Sequence, residues 1–210
     1  MMSDRLTGSS SACVTRDVVV VAASAGGVEA LRSLVSSLPE DLPASIFVVL
    51  HVRPSFLSLL PKLLSKWGPL PASHAEDGET IQHGRIYVAP SDRHLLLDGE
   101  KLSVVLGPTE NHTRPAADPL FRSAAKHYGA RSVGIVLSGY LADGTAGLLE
   151  IKRAGGVTIV QDPDEAIVPS MPKNALTAVK VDYKLPADQM GAVLAKLAAQ
   201  WAKKHALAIS

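Results

Sequence analysis

The chain has 210 residues, 47% of them hydrophobic, which is enough to bury a sizeable core in one domain and short for two. Lysine and arginine number 21 against 20 aspartates and glutamates, a formal charge of +1, so nothing marks a nucleic-acid surface or an anionic membrane as the main partner. Cys13 is the only cysteine, which excludes an internal disulfide and a thiolate zinc cluster; residues 1–16 lack the apolar core of a signal peptide, and a soluble cytoplasmic protein is expected.

Residues 1–16, rich in Ser and Thr and without apolar periodicity, read as a flexible tail, and residues 17–206 as the folded domain. Val18-Val19-Val20-Val21 is an unalternating β-branched run, as expected of a strand buried on both faces, and Val28, Leu31, Leu34, Val35 and Leu38 follow at helical spacing. The logic repeats with a strand over 46–50 and a helix carrying Phe56, Leu59, Leu60, Leu63 and Leu64, whose start is blurred by Pro54 and Pro61. A short strand over 85–89 then leads to a peripheral antiparallel hairpin, 94–97 with 102–106, around an Asp98-Gly99 turn.

Residues 107–119 form a polar, proline-bearing loop that walls a site, before a helix over 120–128. Strand 133–137, helix 145–154 and strand 157–160 continue the alternation; a short helix over 173–179 and an amphipathic C-terminal helix bearing Met190, Val193, Leu194, Leu197 and Trp201 complete it. The expected fold is therefore α/β, a doubly wound, mostly parallel Rossmann-like three-layer sheet with a small antiparallel hairpin. Such sheets bind ligands at the carboxyl ends of their strands.

Three side chains fall there. Ser24 follows the first strand in Ala22-Ala23-Ser24-Ala25-Gly26-Gly27, and a helix starts after the glycines, so its hydroxyl belongs on a sharp turn beside a helix N-terminus. The segment resembles the G-x-S-x-G nucleophile elbow with Ala22 in the first glycine's place. Glycines in a first βα turn equally serve close packing or a nucleotide phosphate, but the full G-x-G-x-x-G fingerprint is absent and His51, not an acid, ends the second strand. His51 stands directly after Leu50, at the same edge as Ser24 if the strands are neighbours, and an imidazole suits a general base.

Position rather than residue type separates His51 from the six other histidines. Asp143, in the glycine-bounded loop 138–145, is placed to accept the Nδ1 hydrogen of His51, or else to cap the helix that follows; Asp162, after the strand at 157–161, is its rival. No H-x-x-x-H or H-E-x-x-H spacing occurs, and no metal is expected.

These motifs together resemble the catalytic domain of the chemotaxis protein-glutamate methylesterases, the CheB type. The resemblance rests on Ala-Ala-Ser-Ala-Gly-Gly at 22–27, Leu-His at 50–51, Ala-Glu-Asp-Gly-Glu at 75–79, Tyr-Val-Ala-Pro at 87–90, Arg-Pro-Ala-Ala-Asp-Pro-Leu-Phe at 114–121, Leu-Ser-Gly at 137–139, Asp-Gly-Thr-Ala-Gly at 143–147 and Met-Pro at 171–172. It implies a catalytic triad of Ser24, His51 and Asp143 in a chain order unlike that of the α/β-hydrolases. It also implies hydrolysis of γ-glutamyl methyl esters on a methylated chemoreceptor, glutamine deamidation by the same chemistry, and no cofactor.

Oxyanion donors are implied at the backbone of Tyr140 and Ala25, and Arg114 is either a cation holding the acidic receptor helix or a structural arginine. Ala25 replaces the family's usual threonine, and Tyr140-Leu141-Ala142 its usual Met-Gly-Asn. The receiver domain that usually precedes this domain is not in the sequence, so a stand-alone domain with other regulation is expected: constitutive activity, control by another subunit, or a fragment of a longer protein. Three further readings stay open: a non-catalytic interaction module in a chemosensory pathway, a nucleotide-binding α/β domain using the Gly26-Gly27 turn, which would leave His51 without a role, and a hydrolase of another ester. Oligomeric state is left undetermined.

Overall fold

A computed structural model describes residues 16–51 and 58–206, the side chains of 200–206 excepted. The expected tail lies outside the described residues but for Arg16, and so does the stretch with Pro54 and Phe56. The strands are β1 (Val18–Ala23), β2 (Ser45–Leu50), β3 (Ala72–His74), β4 (Arg85–Val88), β5 (His94–Asp98), β6 (Lys101–Val105), β7 (Ser132–Val136), β8 (Val157–Gln161) and β9 (Tyr183–Leu185). The helices are α1 (Gly27–Ser36), α2 (Leu60–Trp67), α3 (Ala117–Tyr128), α4 (Thr145–Arg153), α5 (Ser170–Ala178) and α6 (Met190–Ala206).

Seven strands form one sheet in the order β3-β4-β2-β1-β7-β8-β9, and every pairing in it is parallel. β5 and β6 pair antiparallel as a separate hairpin. β1 is fully buried, and successive residues feed opposite cores. Val19, Val21 and Ala23 meet Leu31 and Leu34 of α1, Leu64 of α2 and Met190 and Leu194 of α6. Val18, Val20 and Ala22 meet Leu120 and Phe121 of α3, Leu148 and Ile151 of α4, Met171 of α5 and the hairpin's Leu95 and Leu97. A strand buried on both faces cannot alternate apolar with polar, which is why the four valines run unbroken.

Two differences from the sequence expectation have physical causes. β3 and β9 are three-residue edge strands of half-buried or exposed residues, too short and too polar to stand out as apolar runs. Helix α3 begins at Ala117, three residues before the expected Leu120, because its first N–H groups find an acceptor far away in sequence, the Asp143 carboxylate.

The direction of winding reverses at β1, whose neighbours are β2 on one side and β7 on the other. At such a switch point the connections leave on opposite faces and open a crevice at the carboxyl ends.

Candidate active site

Ser24 is the first residue past β1 and His51 the first past β2, and the register that pairs Ala23 with Leu50 sets them side by side. The His51 N–H donates to the Ala23 carbonyl at 3.1 Å, holding its backbone to the sheet edge. On the other side of Ser24 lies the loop after β7: the Ser24 N–H donates to the Ser138 carbonyl at 2.9 Å. The chain then turns through Gly26, at φ 71°, into the N-terminus of α1. A residue with a β-carbon would be strained there, and that carbon would lie 2.6 Å from the Ile167 Cβ and 2.7 Å from the Ser138 hydroxyl.

The β7–α4 loop is packed as closely. A β-carbon at Gly139 would lie 2.1 Å from the Met171 sulfur and 2.7 Å from the Ser24 Cβ, so only glycine lets this backbone pass the serine. Gly139 donates to the Val168 carbonyl at 3.0 Å and accepts from the Met171 N–H at 2.9 Å. Leu141, at φ 64°, has its carbonyl held by the Asn174 amide at 2.6 Å and the Ser170 hydroxyl at 3.2 Å.

His51 Nε2 lies 2.6 Å from Asp143 Oδ2. The expected nitrogen was Nδ1; the ring is turned so that Nε2 faces the carboxylate and Nδ1 faces away from it. Asp143 is 2% exposed and is supplied with donors on both oxygens. Oδ2 also accepts from the Ala117 N–H at 2.6 Å, and Oδ1 from the Asn111 amide at 2.6 Å, the Gly144 N–H at 2.9 Å and the Asp118 N–H at 3.2 Å. Burial pushes its pKa up, but the bonds from His51, Ala117 and Asn111 outweigh burial and hold it below the usual carboxylate value. The positive end of α3 points at the same charge.

Asp143 therefore caps a helix as well as meeting the histidine, but the helix is α3 rather than α4 that follows it. Its rival Asp162 is not beside His51; it pairs with Lys184 at 3.1 Å and accepts from the Asp164 N–H.

The Ser24 hydroxyl and the N–H groups of Ala25, Gly26 and Tyr140 have no hydrogen-bond partner among the described residues, which leaves a hydroxyl and several backbone donors free in the two loops that meet at Ser24 and Gly139. Also among the described residues, no group of three or more His, Cys, Asp or Glu side chains could hold a metal ion.

A family model described as CheB methylesterase matches residues 19–194. The chain belongs to that family. A solved relative, the catalytic domain of the CheB methylesterase of Thermotoga maritima, superposes with a TM-score of 0.84 at 34% identity, covering 88% of this chain and 100% of that one. A protein-glutamate methylesterase/protein-glutamine glutaminase of Pyrococcus abyssi is 38% identical over 83% of this chain and 49% of its own length. One from Anaeromyxobacter dehalogenans is 41% identical over 85% of this chain and 53% of its own. The chain thus spans about half the length of the curated relatives it matches.

In this CheB methylesterase domain the Arg114 guanidinium is committed locally, to Asp92 Oδ1 through Nε at 2.9 Å and Nη2 at 2.7 Å, and to the Gly107 carbonyl through Nη1 at 2.5 Å. It ties down the segment that runs straight into the start of α3. Tyr140, 65% exposed, and Leu141, 63% exposed, project from the loop beside Ser24, and Ile167, 64% exposed, lies against Gly26. Two residues at the site carry no role that the sequence alone assigns, Asn111 and Asp118, the latter standing in the 114–121 motif. The wall-forming loop 107–119 was visible as such, but nothing in a polar stretch distinguishes the one amide that turns toward Asp143. Asp118 reads as an ordinary first-turn acid, although its side chain is buried.

Proposed function

We propose that the chain is a serine hydrolase that removes methyl esters from glutamate side chains of methylated chemotaxis receptors. The observation that carries this reading is the 2.6 Å His51–Asp143 contact at the carboxyl end of the strand adjacent to that of Ser24. Ser24 is the nucleophile, His51 the general base through the nitrogen not facing Asp143, and Asp143 the carboxylate that orients the ring and balances the imidazolium. Hydroxyl-to-imidazole contacts of this kind commonly tighten only with substrate bound.

Ser24 Oγ attacks the ester carbonyl while His51 takes its proton. The oxyanion is met by the free N–H groups of Ala25 and Tyr140, which backbone geometry supplies whatever the side chains, so the replacements at 25 and 140 leave the donors in place. Collapse expels methoxide, which leaves as methanol with the His51 proton. Water, deprotonated by His51, then cleaves the acyl-enzyme to a glutamate carboxylate. An amide in the ester's place would release ammonia by the same steps, consistent with the double name of the relatives. The chemistry needs no cofactor.

No helix among the described residues is long and apolar enough to cross a membrane; the proposed substrate, the cytoplasmic part of a receptor, would set the reaction in the cytoplasm. Methanol release from methylated receptor membranes tests the reading, with wild type compared to an equally folded Ser24→Ala variant. Release that falls to background in the variant supports it; no release by wild type from several receptors would favour a non-catalytic interaction module.

A further inference from the structure

Asn111 sits at the tip of a two-residue hairpin. Glu110 and Thr113 exchange both backbone hydrogen bonds, at 3.1 and 2.9 Å, and Asn111 and His112 between them have φ of 50° and 63°. Two positive φ values in succession at non-glycine residues are a costly way to make a turn, and such strain persists where the surroundings over-determine it. The hairpin is braced on both sides, by Arg122 to Glu110 at 2.8 Å and by Arg114 to Asp92.

What the turn achieves is the aim of one amide. Asn111 Nδ2 donates to Asp143 Oδ1 at 2.6 Å and to Asp118 Oδ2 at 2.8 Å. The other oxygen of Asp118 accepts the Gly147 N–H of α4 at 2.7 Å. One NH2 group thus spends each hydrogen on a different buried carboxylate. Because Oδ1 of Asp143 is anchored in this way, Oδ2 is the oxygen left to face His51.

We propose that Asn111 is a positioning residue of the hydrolytic site, fixing through its bridge to Asp118 the orientation in which Asp143 meets His51. This rests on the serine-hydrolase reading of the site. Asn111 touches neither the nucleophile nor the imidazole, so its removal acts on turnover through Asp143. Burial pushes the Asp118 carboxyl up, and the neighbouring Asp143 charge adds to that; the neutral amide is what allows the two carboxylates to lie on one donor.

Three measurements test this. In Asn111→Gly, glycine accepts the positive φ and keeps the turn while removing the amide. A role in shaping the hairpin alone leaves kcat unchanged and overturns the proposal; the proposal expects kcat for ester hydrolysis to fall by about 10- to 100-fold with KM nearly unchanged.

Asn111→Asp supplies a donor only when its carboxyl is protonated. The ionisable groups around that position are Asp118 and Asp143, His51 beyond Asp143, and His112 beside it in the turn, with the Glu110–Arg122 and Asp92–Arg114 pairs bracing the hairpin. The ratio of variant to wild-type kcat should therefore rise as pH falls from 8 to 5.5, and a flat ratio overturns the proposal.

The third readout needs no ester. The low-field imidazole proton shared by His51 and Asp143 should be visible by NMR in wild type and lost or broadened by exchange in Asn111→Gly. An unchanged resonance overturns the proposal even if the wild-type protein hydrolyses nothing, an outcome that by itself would count only against the function proposed above.

Discussion

Each end of the central strands buries an aspartate, and the two are satisfied in opposite ways. At the amino end Asp17, 1% exposed, precedes β1 and is met by a guanidinium and an imidazole: Arg131 donates Nε to Oδ1 at 2.9 Å and Nη2 to Oδ2 at 2.6 Å, and His83 Nε2 stands 3.4 Å from Oδ2. At the carboxyl end Asp143 is met by three backbone N–H groups, one neutral amide and one imidazole. The first arrangement cancels a charge permanently with a fixed guanidinium. The second holds a charge in place without cancelling it, so that it remains available to an imidazole that gains and loses a proton. On the function proposed above, the difference separates a carboxylate that only secures the fold from one that would also serve chemistry.

The largest effect should come from neutralising the second. In Asp143→Asn each former oxygen position faces two or more donors, so either orientation of the amide points NH2 at N–H groups. Turnover should fall by roughly 10,000-fold, and stability by roughly 2 to 3 kcal/mol, measured by ester hydrolysis and denaturant unfolding.

Breaking the first pair should touch only the fold. Arg131 is 48% exposed, so solvent already screens part of its interaction, and Arg131→Met should lower stability by about 2 kcal/mol, less than for a fully buried pair, with ester hydrolysis unchanged. A loss of activity in that variant would mean that the two ends are not independent.

The smallest effect is a pH dependence. Burial pushes Asp17 up, but the bonds from His83 and Arg131 prevail and its pKa is lowered in the folded state. A lowered carboxyl pKa gives stability that is present above the unfolded value, near about 4, and lost as pH falls through the folded one. The gap in melting temperature between wild type and Asp17→Asn should accordingly be full near neutrality and shrink on acidification below about pH 4. A gap that widened would show that Asp17 titrates the other way.

The same contrast explains what the sequence could and could not convey. Ser24, His51 and Asp143 were legible because each sits immediately after, or in the loop after, an apolar run that announces a buried strand, and strand ends in such a sheet are meeting points. Asn111 and Asp118 act through a hairpin tip and a helix start that come together only once α3 is docked, and sequence periodicity carries no trace of that. The early start of α3 escaped for the same reason, its cap being supplied by a residue more than twenty positions away. Which nitrogen of His51 turns to Asp143 depends on ring packing, which strand patterning does not address.

The double duty of Asp143, orienting an imidazole and capping α3, bears on how such a domain would decay if its chemistry were no longer needed. Ser24 supports nothing in the scaffold through its hydroxyl, so drift could replace it freely. Asp143 would be retained by the demands of the helix alone. In a lineage that had lost hydrolysis, the serine would be the first of the three to disappear and the aspartate the last. The hydroxyl is therefore the informative residue for judging whether a descendant of this fold still turns over ester, and the carboxylate says little on that question.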